Sequence, residues 1–152
     1  MNELPVKVKF LSPLCTPQNL TYATEHSAGL DLRACISEKE LWIAPGEKKK
    51  IPTGIAIEIT QKNIAGFIFS RSGLGTKEGL VVTQGVGVVD PDYRGEIFVS
   101  LYNLSSTPQK IEQGQRIAQL IFLPFFRAKL IPADTLAETK RGAGGFGHTG
   151  KQ

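Results

Sequence analysis

The sequence predicts an all-β protein, a barrel or sandwich built from about a dozen short strands. Two observations carry that prediction. Apolar, β-branched runs alternate with polar residues at period two, and turn-forming residues, 16 Gly and 9 Pro among 152 residues, punctuate the chain too often to leave a long 3.6-period segment. That length suits one domain with a sizeable core.

Val6, Val8 and Phe10 alternate with Lys7 and Lys9, which predicts a first strand with one buried face. Ser12-Pro13 and Thr16-Pro17 mark a loop, and Ala28 to Ile36 resumes the alternation, with Leu30, Leu32 and Ala34 inward and Asp31 and Arg33 outward. Leu41 to Ala44 forms a short strand that ends at Pro45-Gly46, with Trp42 expected in the core. The isoleucines at 55, 57 and 59 mark one buried face, and Ala65 to Phe69 leads into Ser70-Arg71-Ser72, where Ser70 or Ser72 is expected to cap a helical turn from Leu74 to Glu78. Leu80 to Thr83, Glu96 to Asn103, Arg116 to Leu123 and Ala128 to Ile131 read as further strands. Gly85 to Glu96 reads as a β-hairpin: Pro91-Asp92 sets the turn, Gly95 supplies positive φ, and Ile97, Val99 and Leu101 alternate on the return. Residues 1–132 form the β domain, and residues 133–152 are too small and charged to build a core, which predicts a mobile arm.

The formal charge is +4 and the pI about 9.1, with Lys and Arg scattered. Lys48-Lys49-Lys50, the only cationic run, reads as the solvent face of a strand or turn, and no basic-aromatic stripe of a nucleic-acid binder is present. Cys15 and Cys35 make no CxxC, so neither a disulfide framework nor a zinc site is indicated and a reducing compartment is expected. The N-terminus lacks the apolar core of a signal peptide, and the run from Ile117 to Phe126 is broken by Gln119 and Pro124. A soluble, cytoplasmic protein is the expectation.

Three stretches carry chemistry. Turn carboxylates such as Asp90 and Asp92 ordinarily cap local amides. Arg71-Ser72-Gly73-Leu74-Gly75, however, groups a cation, a hydroxyl and glycine amides, and residues 141–150 place one aromatic, Phe146, among glycines and beside Arg141. Together they suit a base that carries phosphates.

The chain resembles the trimeric dUTP pyrophosphatases, the dUTPases, over nearly its whole length. Five segments in the family's order carry the resemblance: Ala28 to Leu32, Arg71 to Gly75, Gly87 to Gly95, Gly114 to Ile121, and Arg141 to Gly150. The resemblance implies a jelly-roll-like β fold and a homotrimer with three shared sites. Each site would take the hairpin from one subunit, the phosphate segments from a second and the arm from a third. It implies hydrolysis of dUTP to dUMP and pyrophosphate, which limits uracil incorporation into DNA and supplies dUMP for thymidylate synthesis.

By the same resemblance Asp90 is the general base that deprotonates a water for in-line attack on the α-phosphorus, with Gln119 near that phosphate. Tyr93 lies beneath the deoxyribose and excludes a 2′-hydroxyl, while backbone groups of Gln84, Gly85 and Gly87 read the uracil edge. Arg71, Ser72 and Gly73 cradle the triphosphate, Arg116 is structural, and Asp31 holds Mg²⁺ only through water, the cation being bound chiefly by phosphate oxygens. In the arm, Phe146 stacks on uracil, Arg141 reaches base or phosphates, and Gly144, Gly145, Gly147 and Thr149 wrap the phosphates. His148 stands where the family usually has serine, which introduces an imidazole at the closing arm.

Three alternatives compete. A dCTP deaminase shares the fold, but it needs a glutamate base and lacks the complete Gly-Gly-Phe-Gly arm. A non-catalytic trimer acting as a regulatory protein conflicts with Asp90, Tyr93, Arg71 and Phe146 all being present. A nucleic-acid-binding barrel is weaker still, because the chain has no basic-aromatic stripe.

Overall fold

A computed structural model of the chain describes residues 3–145. Eleven strands follow one another: β1 (Val6–Phe10), β2 (Leu30–Arg33), β3 (Glu40–Ile43), β4 (Lys48–Pro52), β5 (Ile55–Ile59), β6 (Ile64–Ser70), β7 (Leu80–Val82), β8 (Val86–Val89), β9 (Phe98–Asn103), β10 (Gln109–Glu112) and β11 (Arg116–Pro124). The helical content is one 3₁₀ turn at Pro17–Asn19 and one π turn at Leu74–Glu78. The strands pair antiparallel in four sheets, ordered β1-β5, β10-β3, β2-β11-β6-β8 and β4-β9-β7, and these do not join into one hydrogen-bonded ring.

The sheets enclose a single apolar core. Leu32, Ile43, Ile51, Leu101, Ile111, Ile117 and Leu120 are fully buried within it. Each such side chain contributes about 2 kcal/mol of transfer free energy. Asn103 is, among the described residues, the one polar side chain with no exposed surface. Its amide donates to the carbonyls of Ile43 and Thr107, and its oxygen accepts from the amide and hydroxyl of Ser105. With its hydrogen-bonding capacity filled, it ties the end of β9 to β3 at little desolvation cost.

Several expectations need correction. Gly85 to Glu96 does not form a hairpin: β8 pairs with β6, whereas β9 pairs with β4 and β7. The return is diverted because Ile97 donates its amide to Ile55 and accepts from Thr53, which seats the chain on the β4–β5 turn and buries Ile97, Val99 and Leu101 between two neighbours. The bend therefore crosses from one sheet to another. Trp42 is 53% exposed, because Leu41 and Ile43 fill the inward positions of β3 and the indole donates to Glu40.

Neither Ser70 nor Ser72 caps the turn after β6; Gly73 occupies the cap position, and the Ser70 hydroxyl accepts from the Val82 amide. No strand forms at Ala128 to Ile131. Among the described residues the last strand ends at Pro124, and Phe126, Leu130, Ile131 and Leu136 are 98%, 89%, 78% and 89% exposed, so these apolar side chains lie away from the described core. No helix among the described residues is long and apolar enough to cross a membrane.

Candidate functional site

The four-stranded sheet builds an open cleft of about 290 Å³ whose walls include Asp31, Arg71, Ser72, Gly73, Arg116 and Gln119. Strand register explains the grouping. Gln119 on β11 lies opposite Asp31 on β2 and Phe69 on β6, so its side chain shares a face with Asp31, and Arg71 follows directly after β6. Residues 116 and 119 would point to opposite faces of a regular strand. A bulge between Arg116 and Ala118 resets the alternation, letting Ile117 and Ala118 both enter the core while Arg116 reaches the cleft.

Asp31 is 7% exposed, not outward as the alternation suggests, and it sits between two guanidinium groups. Arg71 Nε lies 3.2 Å from Oδ1 and Arg116 Nη1 lies 3.0 Å from Oδ2, while Arg71 Nη1 donates to the Arg116 carbonyl at 3.1 Å. Two cations on one carboxylate leave a local charge of about +1 and several guanidinium N–H donors free to face the cleft. Ser72 and Gly73 are exposed at the mouth. Gln119 donates to the Ser70 carbonyl, and its Oε1 lies 2.6 Å from where a Cβ on Gly29 would stand, so glycine there is required for the glutamine to pack. The cleft is thus an anion receptacle with rigid walls. Arg116, read from sequence as structural, belongs to it, and the signal that would have found it is the break in alternation across Arg116-Ile117-Ala118.

The second half of the site is the bend after β8. Asp90-Pro91-Asp92-Tyr93 forms the expected tight turn, closed by the Tyr93 amide on the Asp90 carbonyl at 3.1 Å. Arg94 Nη1 braces it through the carbonyls of Pro91 and Tyr93. Tyr93 lays its ring along the loop and donates its hydroxyl to the Glu96 carbonyl at 2.9 Å. Gly95 does not adopt positive φ; it is glycine because a Cβ would collide with the Tyr93 ring and hydroxyl. Asp90 and Tyr93 are exposed.

β8 is the edge strand of its sheet among the described residues, so half of its N–H and C=O groups point away from β6. Gly85, with φ +75°, turns the chain into that edge, and Gly87 fits against Ile68 and Gln84.

Within one chain the two halves do not meet. Asp90 lines a separate hollow of about 1030 Å³ with Arg94 and Arg127, and it shares no lining residue with the cleft of Arg71. Arg141 is exposed and donates to the Gly144 carbonyl in a local turn. Phe146, Gly147, His148 and Thr149 lie outside the described residues. His26 is an exposed loop residue.

No group of three or more His, Cys, Asp or Glu side chains among the described residues is arranged to hold a metal. Asp31 offers only the lone pairs left over from two arginines, inside a cationic surround. That donor set fits a cation that arrives with polyphosphate and reaches the protein through water, and does not fit a cation held by the protein itself.

Comparison with known proteins gives a consistent result. The family model described as dUTPase matches residues 17–150. A deoxyuridine 5′-triphosphate nucleotidohydrolase of Desulfitobacterium hafniense is 48% identical over 150 residues, covering 99% of each chain. One of Haemophilus influenzae is 53% identical over 132 residues, covering 87% of each. Among solved structures, the Staphylococcus bacteriophage 80alpha dUTPase with dUPNHPP superposes with a TM-score of 0.84 at 25% identity, over 96% of this chain and 98% of that one. A dUTPase from phage phi11 of S. aureus, described with a structural Mg(II) ion, gives 0.76 at 21% identity over 88% and 99%, a likeness of fold.

Proposed function

The chain belongs to the dUTPase family, and from that premise we propose how its residues divide the hydrolysis of dUTP to dUMP. The observation that carries the reading is the cleft in which Asp31 fixes Arg71 and Arg116 beside Ser72 and Gln119, a receptacle for a triphosphate. Arg71, Ser72 and Gly73 bind the phosphates, and Gln119 lies at the α-phosphate end. Asp90 accepts a proton from a water whose oxygen bonds to the α-phosphorus. The bond from the α-phosphorus to the bridging oxygen breaks, and pyrophosphate leaves. Mg²⁺ arriving with the phosphates would supply partial neutralisation of their charge, and Asp31 would reach it only through its hydration shell.

Selection of the base and sugar falls to β8 and Tyr93. Outward amide and carbonyl groups near Gln84, Gly85 and Gly87 present the donor and acceptor pattern that distinguishes uracil from cytosine. The Tyr93 ring, held by its own hydroxyl bond and by Gly95, denies space to a ribose 2′-hydroxyl. Gly95→Ala is therefore expected to lower the dUTP to UTP ratio of kcat/KM by about tenfold, since displacing one packed contact is worth roughly 1–3 kcal/mol. Unchanged discrimination would remove Tyr93 as the sugar gate.

A homotrimer supplies what one chain lacks. Asp90 and Arg71 sit in separate hollows, and the strandless segment from residue 125 exposes Phe126, Leu130, Ile131 and Leu136, apolar side chains that another subunit would cover. Residues 133–152 then act as an arm that brings Arg141, Phe146, Gly147, His148 and Thr149 over a neighbour's site. Light scattering should give three chains. Product analysis with Mg²⁺ and, separately, dUTP, dCTP, UTP and dTTP should give dUMP and pyrophosphate from dUTP alone; deamination of dCTP would favour the related deaminases instead.

A further inference from the structure

We propose that Cys15 and Cys35 form a reversible intrachain disulfide that closes the loop carrying half of the phosphate cleft. Cys15 lies in the loop after β1 and Cys35 two residues beyond β2, and both are half-buried. Their sulfurs converge on one point. A Cβ on Gly54 would stand 2.5 Å from Cys35 Sγ and 2.9 Å from Cys15 Sγ, so the sulfurs are separated by no more than the sum of those distances.

Gly54, at φ +69°, is the residue that leaves this space open. The surrounding backbone is fixed: Cys35 donates its amide to Pro52, Leu11 donates to Gly54, and Gly54 donates to Glu96. Cys15 Sγ donates to the Thr53 carbonyl at 2.8 Å. Burial first, then Cys35 and Glu96, push the Cys15 thiol up to about 12 against the opposing pull of Arg33. Cys15, already engaged with the Thr53 carbonyl, is the resolving sulfur, and Cys35 is the one that meets the oxidant.

The chemistry needs a small-molecule disulfide as oxidant. The Cys35 thiolate attacks one sulfur of it, the oxidant's S–S bond breaks, and one thiolate leaves, giving a mixed disulfide at Cys35. Cys15 then loses its proton to solvent, and its sulfur attacks Cys35 Sγ and expels the second thiolate. Two cysteine thiols are oxidised by two electrons, and one disulfide is reduced to two thiols. The bridge spans residues 15 to 35, a loop that includes Gly29 and Asp31.

The test exposes the full-length native enzyme to glutathione disulfide and follows intact mass, thiol titration, peptide mapping and thermal midpoint. The expected result is loss of both thiols and two hydrogens per chain, a Cys15–Cys35 peptide pair within one chain, and a rise in midpoint of roughly 5–10 °C that dithiothreitol reverses. Cys15→Ser should stop at a glutathione adduct on Cys35 with no such rise, and Cys35→Ser should leave Cys15 unmodified. A stable glutathione adduct on the native protein, bridges between chains, or two persistent thiols would each overturn the proposal.

Discussion

Asp90→Asn is expected to lower kcat for dUTP by roughly 10²–10⁴-fold, the range that a positioned general base contributes, while dUTP still binds. The exchange removes basicity and nearly nothing else. Asp90 is exposed in the single chain, and its carboxylate forms none of the side-chain hydrogen bonds or ion pairs seen among the described residues. The turn it begins is closed through its backbone carbonyl, which asparagine keeps, and Arg94 braces the turn through other carbonyls. The thermal midpoint should therefore stay within a degree or two, as for other surface substitutions. Titration of dUTP calorimetrically, beside release of pyrophosphate, separates binding from chemistry. Activity within a few-fold of the native enzyme would show that another group takes the proton.

The elements with strong period-two patterns were legible in the sequence. β1 and β5 fall where Val6, Val8 and Phe10 and the three odd-numbered isoleucines place them: β1 alternates half-buried with exposed residues, and β5 buries all three isoleucines. β10 went unread: Gln109–Glu112 has a single apolar residue, Ile111, and is a strand because it pairs with β3. Partner choice was also hidden. Gly85 to Glu96 has the local chemistry of a hairpin, yet the contacts of Ile97 with Thr53 and Ile55 lie some forty residues away, beyond any local pattern.

The site shows the same division. Arg71, Ser72 and Gly73 were legible as a group, Gln119 joined them through the family resemblance, and all four line one cleft. The ion pairs of Asp31 and the packing reason for Gly95 were not legible. Alternation can assign Asp31 to a face, but it cannot show that two arginines cover that face. Similarly, a glycine beside a turn suggests positive φ, whereas Gly95 serves the packing of an aromatic ring two residues earlier.

Arg71→Ala is expected to lower kcat/KM for dUTP by roughly 10²–10³-fold, because it removes a charge-assisted fork from the triphosphate and from the charge that develops during transfer. The structural penalty should be smaller. Asp31 loses one partner but keeps Arg116 at 3.0 Å, so the carboxylate is not left alone in its buried position. The companion variant Asp31→Asn then separates two functions for the acid. If Asp31 serves chiefly to hold Arg71 and Arg116, its removal should cost activity in the native background and much less in the Arg71→Ala background, with the Mg²⁺ concentration for half-maximal rate unchanged. If Asp31 instead secures the cation through water, the two losses should add, and Asp31→Asn alone should raise the Mg²⁺ requirement. The ion-pair geometry favours the first result, since one carboxylate oxygen accepts from Arg116 and the other lies 3.2 Å from Arg71 Nε. Additive losses with a raised Mg²⁺ requirement would return Asp31 to the metal.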